Sequence, residues 1–193
     1  KVKAEIKSGK KMIIKEVKTT AKKTFAPGLY DLTELQRDAN KRFGYSAKET
    51  LNIMQRLYES HKVLTYPRTD SRYITTDVAD TLKERLKACS VGPYRKLAGS
   101  LSMRPIRKNA SFVDNKKVTD HHAIIPTVEI TNMDLKALPG GEKEILMLIA
   151  SKLLCASEQE YIYESIKTEI SCHGELFTAS GKNVLQYGWK EVE

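Results

Sequence analysis

Cysteine is scarce in this chain of 193 residues: Cys89, Cys155 and Cys172 are the three, odd in number and far apart. That spacing excludes a disulfide framework and a cysteine-built zinc site, and it fits reduced thiols in a cytosolic setting. No apolar run approaches the roughly 20 residues of a membrane span, and no segment reads as a signal peptide. A glycine-rich Walker loop is absent, so nothing points to nucleoside triphosphate chemistry. An Asp-x-Asp-x-Glu cluster of the kind that gathers divalent cations is also lacking. Acidic residues are the minority, 24 against 33 Lys and Arg, for a net charge of +9.

The distribution of that charge is informative. Residues 1–27 carry nine lysines against two glutamates, and residues 95–117 carry seven Lys or Arg against Asp114. Residues 157–193 reverse the sign, with seven glutamates against three lysines. Two basic segments on a near-neutral body point to a polyanion, with nucleic acid the first candidate. A solubilising lysine surface would produce the same counts.

The chain reads as strands, then a helical block, then strands: an α+β fold, mainly α. Residues 1–25 alternate, with Val2, Ala4 and Ile6 on one face, a turn at Ser8-Gly9, and Met12, Ile14 and Val17 resuming the pattern, as in a lysine-edged hairpin. Asp31-Leu-Thr-Glu34 and Ser46-Ala-Lys-Glu49 are each spaced like a capping box. The first opens a helix with Leu32, Leu35, Ala39 and Phe43 on one side, ending at Gly44. The second opens a helix with Leu51, Met54, Leu57 and Tyr58 on one side, joined to the first as in a helix-turn-helix unit. A short strand is expected over Val63–Tyr66, stopped by Pro67. A third helix begins at Thr75 or Thr76 and contains Val78, Leu82 and Leu86; a fourth covers about Pro93 to Leu101. Residues 102–127 read as irregular and basic, and an apolar helix spans about Glu142 to Cys155. Strands follow over Tyr161–Ser171 and Leu176–Tyr187, around His173-Gly174 and with a turn at Ser180-Gly181. Strands at the two ends would pair with each other, so the helical block is an insertion into a β element. The expected divisions are 1–25, 26–157 and 158–193, the first and last being incomplete β units of something longer.

Two segments carry chemistry. In Tyr66-Pro-Arg68-Thr69-Asp70-Ser71 a phenol stands two residues from a guanidinium. A phenol with a pKa near ~10 is a poor nucleophile at neutral pH, and a fixed arginine favours the phenolate while offering a bidentate partner for phosphate. Those are the parts of a tyrosine that attacks a phosphodiester, although most Tyr-Pro pairs are strand ends leading into turns. The second segment is Asp120-His121-His122-Ala-Ile-Ile-Pro-Thr127. A metal reading of its histidines needs further ligands, and His61 and His173 are the only other histidines. A DHH-type phosphoesterase uses such a triplet, but with aspartate-rich motifs absent here. A third reading makes one histidine a phosphate contact or proton shuttle for a distant nucleophile.

Taken together, Leu57-Tyr-Glu59, Tyr66-Pro-Arg-Thr-Asp-Ser71 and Asp120-His-His-Ala-Ile-Ile-Pro-Thr127 resemble the type IA DNA topoisomerases. Leu29-Tyr-Asp-Leu-Thr-Glu-Leu-Gln-Arg-Asp-Ala-Asn40 and Phe43-Gly-Tyr-Ser-Ala-Lys-Glu-Thr50 look like the topoisomerase III branch. The resemblance implies a helical tyrosine domain inserted between strands of a β arch, in an enzyme that cuts one DNA strand, passes another through and reseals it without ATP. Tyr66 matches the nucleophile that becomes joined to a 5′ phosphate, Arg68 the arginine beside it, and His121 the functional histidine, with His122 adjoining. Thr69, Asp70 and Ser71 share the tyrosine motif and are expected to orient Arg68 or contact phosphate. Gln36 and Arg37 match a helix facing DNA. The family binds Mg2+ through an acidic Toprim domain that this sequence does not contain, so this chain is expected to supply no metal ligand. The implied partners are single-stranded DNA and the remaining domains of the enzyme, in the nucleoid-associated cytoplasm of a bacterium. The competing reading is a non-enzymatic DNA-binding module of helix-turn-helix type.

Overall fold

The computed structural model describes residues 12–104, 111–172 and 174–192. It is an α+β chain that divides into two compact units. One comprises residues up to Phe25 together with Glu160–Gly188; the other comprises Ala26–Gln159 with the final residues from Trp189.

The first unit is a three-stranded antiparallel sheet, β1 (Ile13–Thr24), β2 (Tyr161–Cys172) and β3 (Glu175–Gln186), in that order. β1 and β2 come from opposite ends of the chain and pair from Ile13 opposite Ser171 to Thr24 opposite Tyr161, with one register shift between Ile14 and Glu16, as the end-to-end pairing requires. Alternation gives the sheet two unlike faces. The register puts Lys18, Lys22, Tyr163, Lys167 and Lys182 on one side, and Val17, Ala21, Ile162, Ile166, Ile170 and Phe177 on the other. The expected turn at Ser180-Gly181 is not formed. β3 passes straight through, with Ser180 opposite Lys167 and Gly181 opposite Ile166, because the paired β2 backbone holds both residues in the ladder. The first strand and Ser8-Gly9 turn of the expected N-terminal hairpin lie outside the described residues. Its second half is the single continuous strand β1.

The second unit is built on helices. α1 (Leu32–Phe43) and α2 (Ala47–Glu59) form where the two capping signals stand, but only the second box closes. Ser46 accepts from the Glu49 N–H while Glu49 returns to the Ser46 N–H at 2.8 Å. Asp31 accepts from the Glu34 N–H at 2.7 Å, whereas the Glu34 carboxylate turns to Arg37 at 2.5 Å. Gly44, at φ 78°, ends α1 in the left-handed conformation that glycine adopts without a Cβ clash. The buried stripe of α2 is Thr50, Ile53, Met54 and Leu57, shifted from the expected one: Ile53 takes the core position, and Leu51 and Tyr58 stand at its margins.

The expected third helix breaks in two at Thr81, giving α3 (Thr76–Asp80) and α4 (Leu82–Ala88). The Thr81 hydroxyl donates to the Val78 carbonyl at 2.7 Å, a local bond that competes with the helical ladder. α5 (Arg95–Met103) comes after a short turn at Gly92–Tyr94. The long helix α6 (Gly140–Ser157) is buried on most sides, through Ile145, Leu146, Ile149, Leu153 and Leu154 among others. It packs with α1 and α2 around Leu35, Met54, Leu57 and Ile124. Despite that apolar character, no helix among the described residues is long and apolar enough to cross a membrane.

Two polar ties run through this core. The buried Tyr30 hydroxyl donates to Asp38 at 2.5 Å, and Lys152 of α6 lies 4.4 Å from the Tyr30 ring and 3.5 Å from the same carboxylate. Burial first, then the adjacent Asp38, pushes the Tyr30 phenol far above its ordinary range, so Tyr30 is a fixed donor. At the start of α6, buried Glu142 accepts from Arg56, in the last turn of α2, at 2.5 Å and lies 3.0 Å from His61, just beyond that helix.

Candidate active site

The segment carrying Tyr66 was expected to be a strand. It is an extended stretch with a single bridge, Leu64 opposite Pro126. Proline explains the difference: Pro67 and Pro126 both lack an N–H, so a regular ladder cannot grow past the bridge. The backbone builds a set of short extended segments instead. The Thr65 N–H donates to the Ile125 carbonyl, the Thr127 N–H to Val63, the Ile124 N–H to Tyr30 and the Ala123 N–H to Tyr73. Residues 123–127 are thereby held against residues 63–65 and residue 30. The Thr65 hydroxyl reinforces the seam, donating to the Ala123 carbonyl at 3.1 Å and accepting from the Ile125 N–H at 3.0 Å.

The seam brings the two chemistry-bearing segments together. The rings of Tyr66 and His121 lie 4.2 Å apart between centroids, inclined at 38°. Tyr58 of α2 also meets Tyr66, edge-on at 5.6 Å and 80°. Tyr66 is half-buried, and its hydroxyl makes no hydrogen bond among the described residues. Arg68 and Asp70 are exposed, and neither has a hydrogen bond or ion pair among those residues. The guanidinium two residues from the phenol is therefore available to an anion.

Thr69 and Ser71 occupy a different position from the one expected. Both are buried and turned into the backbone rather than toward Arg68. The Thr69 hydroxyl donates to the His121 carbonyl at 3.0 Å and accepts from the Ser71 N–H at 3.1 Å. The Ser71 hydroxyl donates to the Lys117 carbonyl at 2.9 Å. These bonds fix the path of the histidine segment. Gln36 donates to the Ala47 carbonyl at 3.0 Å, tying α1 to the start of α2, and Arg37 pairs with Glu34. Among the described residues neither is bonded to Tyr66.

His121 and His122 part company, as neighbours on extended backbone do. His121 is exposed, whereas His122 is half-buried with Nδ1 2.7 Å from the Ala123 carbonyl. A carbonyl accepts, so Nδ1 carries the proton and Nε2 is left as an acceptor. Burial lowers the His122 pKa, and the nearby Arg85 and His121 act in the same direction. Arg85, on α4, donates to the Pro126 carbonyl and the Thr81 hydroxyl at 2.8 Å each, with its own pKa lowered by burial. Sequence reading did not single it out, although it lies on the Leu82 and Leu86 side of its helix. Lys117 lies beside Tyr73: its ammonium donates to the Tyr73 hydroxyl at 3.2 Å and sits 4.4 Å from the ring.

A half-buried phenol in contact with the His121 and Tyr58 rings, followed two residues on by a guanidinium with no partner among the described residues, is an arrangement suited to attack on a phosphodiester. The whole chain, residues 1–193, matches the family model described as DNA topoisomerase, and it belongs to that family. Among curated relatives, it is 56% identical over 179 residues to DNA topoisomerase 3 of Bacillus cereus (strain ATCC 10987), covering 93% of this chain and 24% of that protein. It is 50% identical over 184 residues to DNA topoisomerase 3 of Bacillus subtilis (strain 168), covering 95% and 25% respectively. The chain thus spans about a quarter of the length of these relatives. Its fold is that of a solved full-length topoisomerase I from Thermotoga maritima, with a TM-score of 0.69 at 22% identity over 99% of this chain and 31% of that one.

Proposed function

We propose that this chain is the tyrosine-bearing part of a type IA DNA topoisomerase of the topoisomerase III branch. In this reading Ala26–Gln159, with the final residues from Trp189, form the catalytic-tyrosine domain, and the strands before Ala26 and within Glu160–Gly188 are parts of a β arch. The Tyr66 oxygen attacks a backbone phosphorus of single-stranded DNA and displaces the 3′ oxygen, which takes up a proton as the phenol gives one up. The product is a 5′-phosphotyrosine. Its bond keeps the energy of the broken linkage, so the 3′ hydroxyl reseals the strand by the reverse step without ATP. Arg68 holds the attacked phosphate, and its charge favours the phenolate. His121, whose ring lies 4.2 Å from that of Tyr66, makes a phosphate contact or moves a proton in this reading. The observation that supports this best is the half-buried Tyr66 against the His121 ring, with Arg68 exposed and free of any competing carboxylate among the described residues.

Among the described residues, no group of three or more His, Cys, Asp or Glu side chains gathers to hold a metal ion. These residues do not fit the family's Mg2+, and we assign its binding to a Toprim domain elsewhere in the longer protein. The partners are DNA and those further domains, and the place of work is the bacterial nucleoid. Relatives named DNA topoisomerase 3 favour this reading over a non-enzymatic helix-turn-helix module.

The test is covalent capture. The full-length protein, mixed with a 5′-labelled or 3′-labelled oligonucleotide and Mg2+ and then denatured, should retain the fragment that lies 3′ of the cut on Tyr66. Tyr66→Phe should still bind the oligonucleotide and retain nothing. An adduct of undiminished yield in Tyr66→Phe would sink the proposal.

A further inference from the structure

Lys62 stands four residues before Tyr66 and is the one non-glycine residue among those described with a positive φ, at 59°. It occupies the place where α2 terminates: the Val63 N–H reaches back to the Leu57 carbonyl, and the Lys62 carbonyl accepts from the Thr127 hydroxyl at 2.7 Å. Chains that end a helix in this way ordinarily place glycine in the left-handed position, as this chain does at Gly44. A lysine there carries a Cβ penalty that glycine escapes. The backbone alone gives no reason for the side chain.

The surroundings of the ammonium suggest one. Lys62 is exposed and has no carboxylate partner among the described residues. Its Nζ lies 5.9 Å from the centre of the Tyr58 ring, and Tyr58 meets Tyr66 edge-on. A free cation therefore stands on the Tyr58 side of the phenol, while Arg68 supplies another from the sequence beyond it. We propose that Lys62 binds a backbone phosphate of the nucleic-acid strand next to the one presented to Tyr66. The strained backbone at residue 62 then serves to aim the ammonium along the strand path. This inference rests on the proposed function and assigns a residue to the strand-binding surface that the tyrosine and histidine motifs do not include.

The experiment exploits the strain. In the full-length protein Lys62→Gly removes the ammonium and relieves the backbone together, so its melting temperature should equal or exceed that of the parent. Its affinity for a short single-stranded oligonucleotide should nevertheless fall by about fivefold. The slope of log K against log salt should become shallower by about 0.7, as loss of one phosphate contact on a single strand requires. Lys62→Arg should restore both affinity and slope. Unchanged affinity and slope in Lys62→Gly would overturn the assignment, as would loss of both in Lys62→Arg with its melting temperature intact. Failure of the underlying function is seen separately, as an absence of any Tyr66 adduct in the parent protein.

Discussion

Thr69 and His121 are joined through a single hydrogen bond of 3.0 Å, from the threonine hydroxyl to the histidine's backbone carbonyl. The same hydroxyl oxygen accepts the Ser71 N–H at 3.1 Å. One buried side chain therefore fixes the turn after Tyr66 and the segment whose His121 ring lies against it. The tyrosine motif and the histidine motif are mechanically one object, and the residues between their reactive groups hold them so.

Replacing Thr69 by valine keeps the volume and removes the oxygen. The His121 carbonyl loses its donor and the buried Ser71 N–H loses its acceptor, a loss of about 2 kcal/mol. Thr69→Ser keeps both bonds and gives up one methyl, at about 1 kcal/mol or less. Urea unfolding of the two variants measures the difference. In the full-length protein, adduct formation should fall in Thr69→Val and recover in Thr69→Ser. Equal stability of the two variants would mean that the bond to His121 contributes nothing.

A second prediction concerns Glu142, whose carboxylate is buried while Arg56 is half-exposed and His61 partly so. Deleting the acid in Glu142→Ala lets the arginine turn to water, so the loss falls short of that for stranding a buried charge. About 2 kcal/mol is expected, from two charge-assisted bonds and the packing of the first turn of α6. Arg56→Ala leaves the carboxylate buried with only His61 beside it, and should cost more. Denaturant midpoints of the pair decide the order; the reverse order would show that Glu142 is hydrated in the folded state.

Much of this organisation is readable from residue order, because its causes are local. Ser46 and Glu49 stand three apart and cap α2 reciprocally; Asp31 caps α1; Gly44 ends it. The β pairing of the chain's two ends arises from period-two alternation in both. The failures have long-range causes. Glu142 reads as the acidic start of an apolar helix, and nothing near it in sequence announces that Arg56 and His61 will close over it. Ser180-Gly181 looks like a turn until β2 supplies a partner for each residue. Lys62 carries no mark of its left-handed backbone, since the usual signal there is a glycine. In the candidate site, Tyr66, Arg68 and His121 stand out in the sequence by residue type, but Thr69 and Ser71 point into the backbone because their neighbours, the His121 and Lys117 carbonyls, come from another segment.

The last prediction is a dependence on pH set by His122. Burial, aided by Arg85 and His121, lowers its pKa in the folded protein below the ordinary value of 6.5. At pH values below 6.5 the unfolded chain binds a proton that the folded one does not, so protons favour unfolding. The stabilisation is fully present above 6.5 and is lost as pH falls from there toward the folded pKa. His122→Gln, which retains a side-chain donor for the Ala123 carbonyl without titrating, should flatten that part of the curve. Urea midpoints between pH 5 and 7.5, taken for both proteins, test it. The parent should lose stability on acidification more steeply than His122→Gln, and the two slopes should converge above pH 7. Parallel curves throughout would mean that His122 takes up its proton in the folded state as readily as in the unfolded chain, contrary to its half-buried position near Arg85.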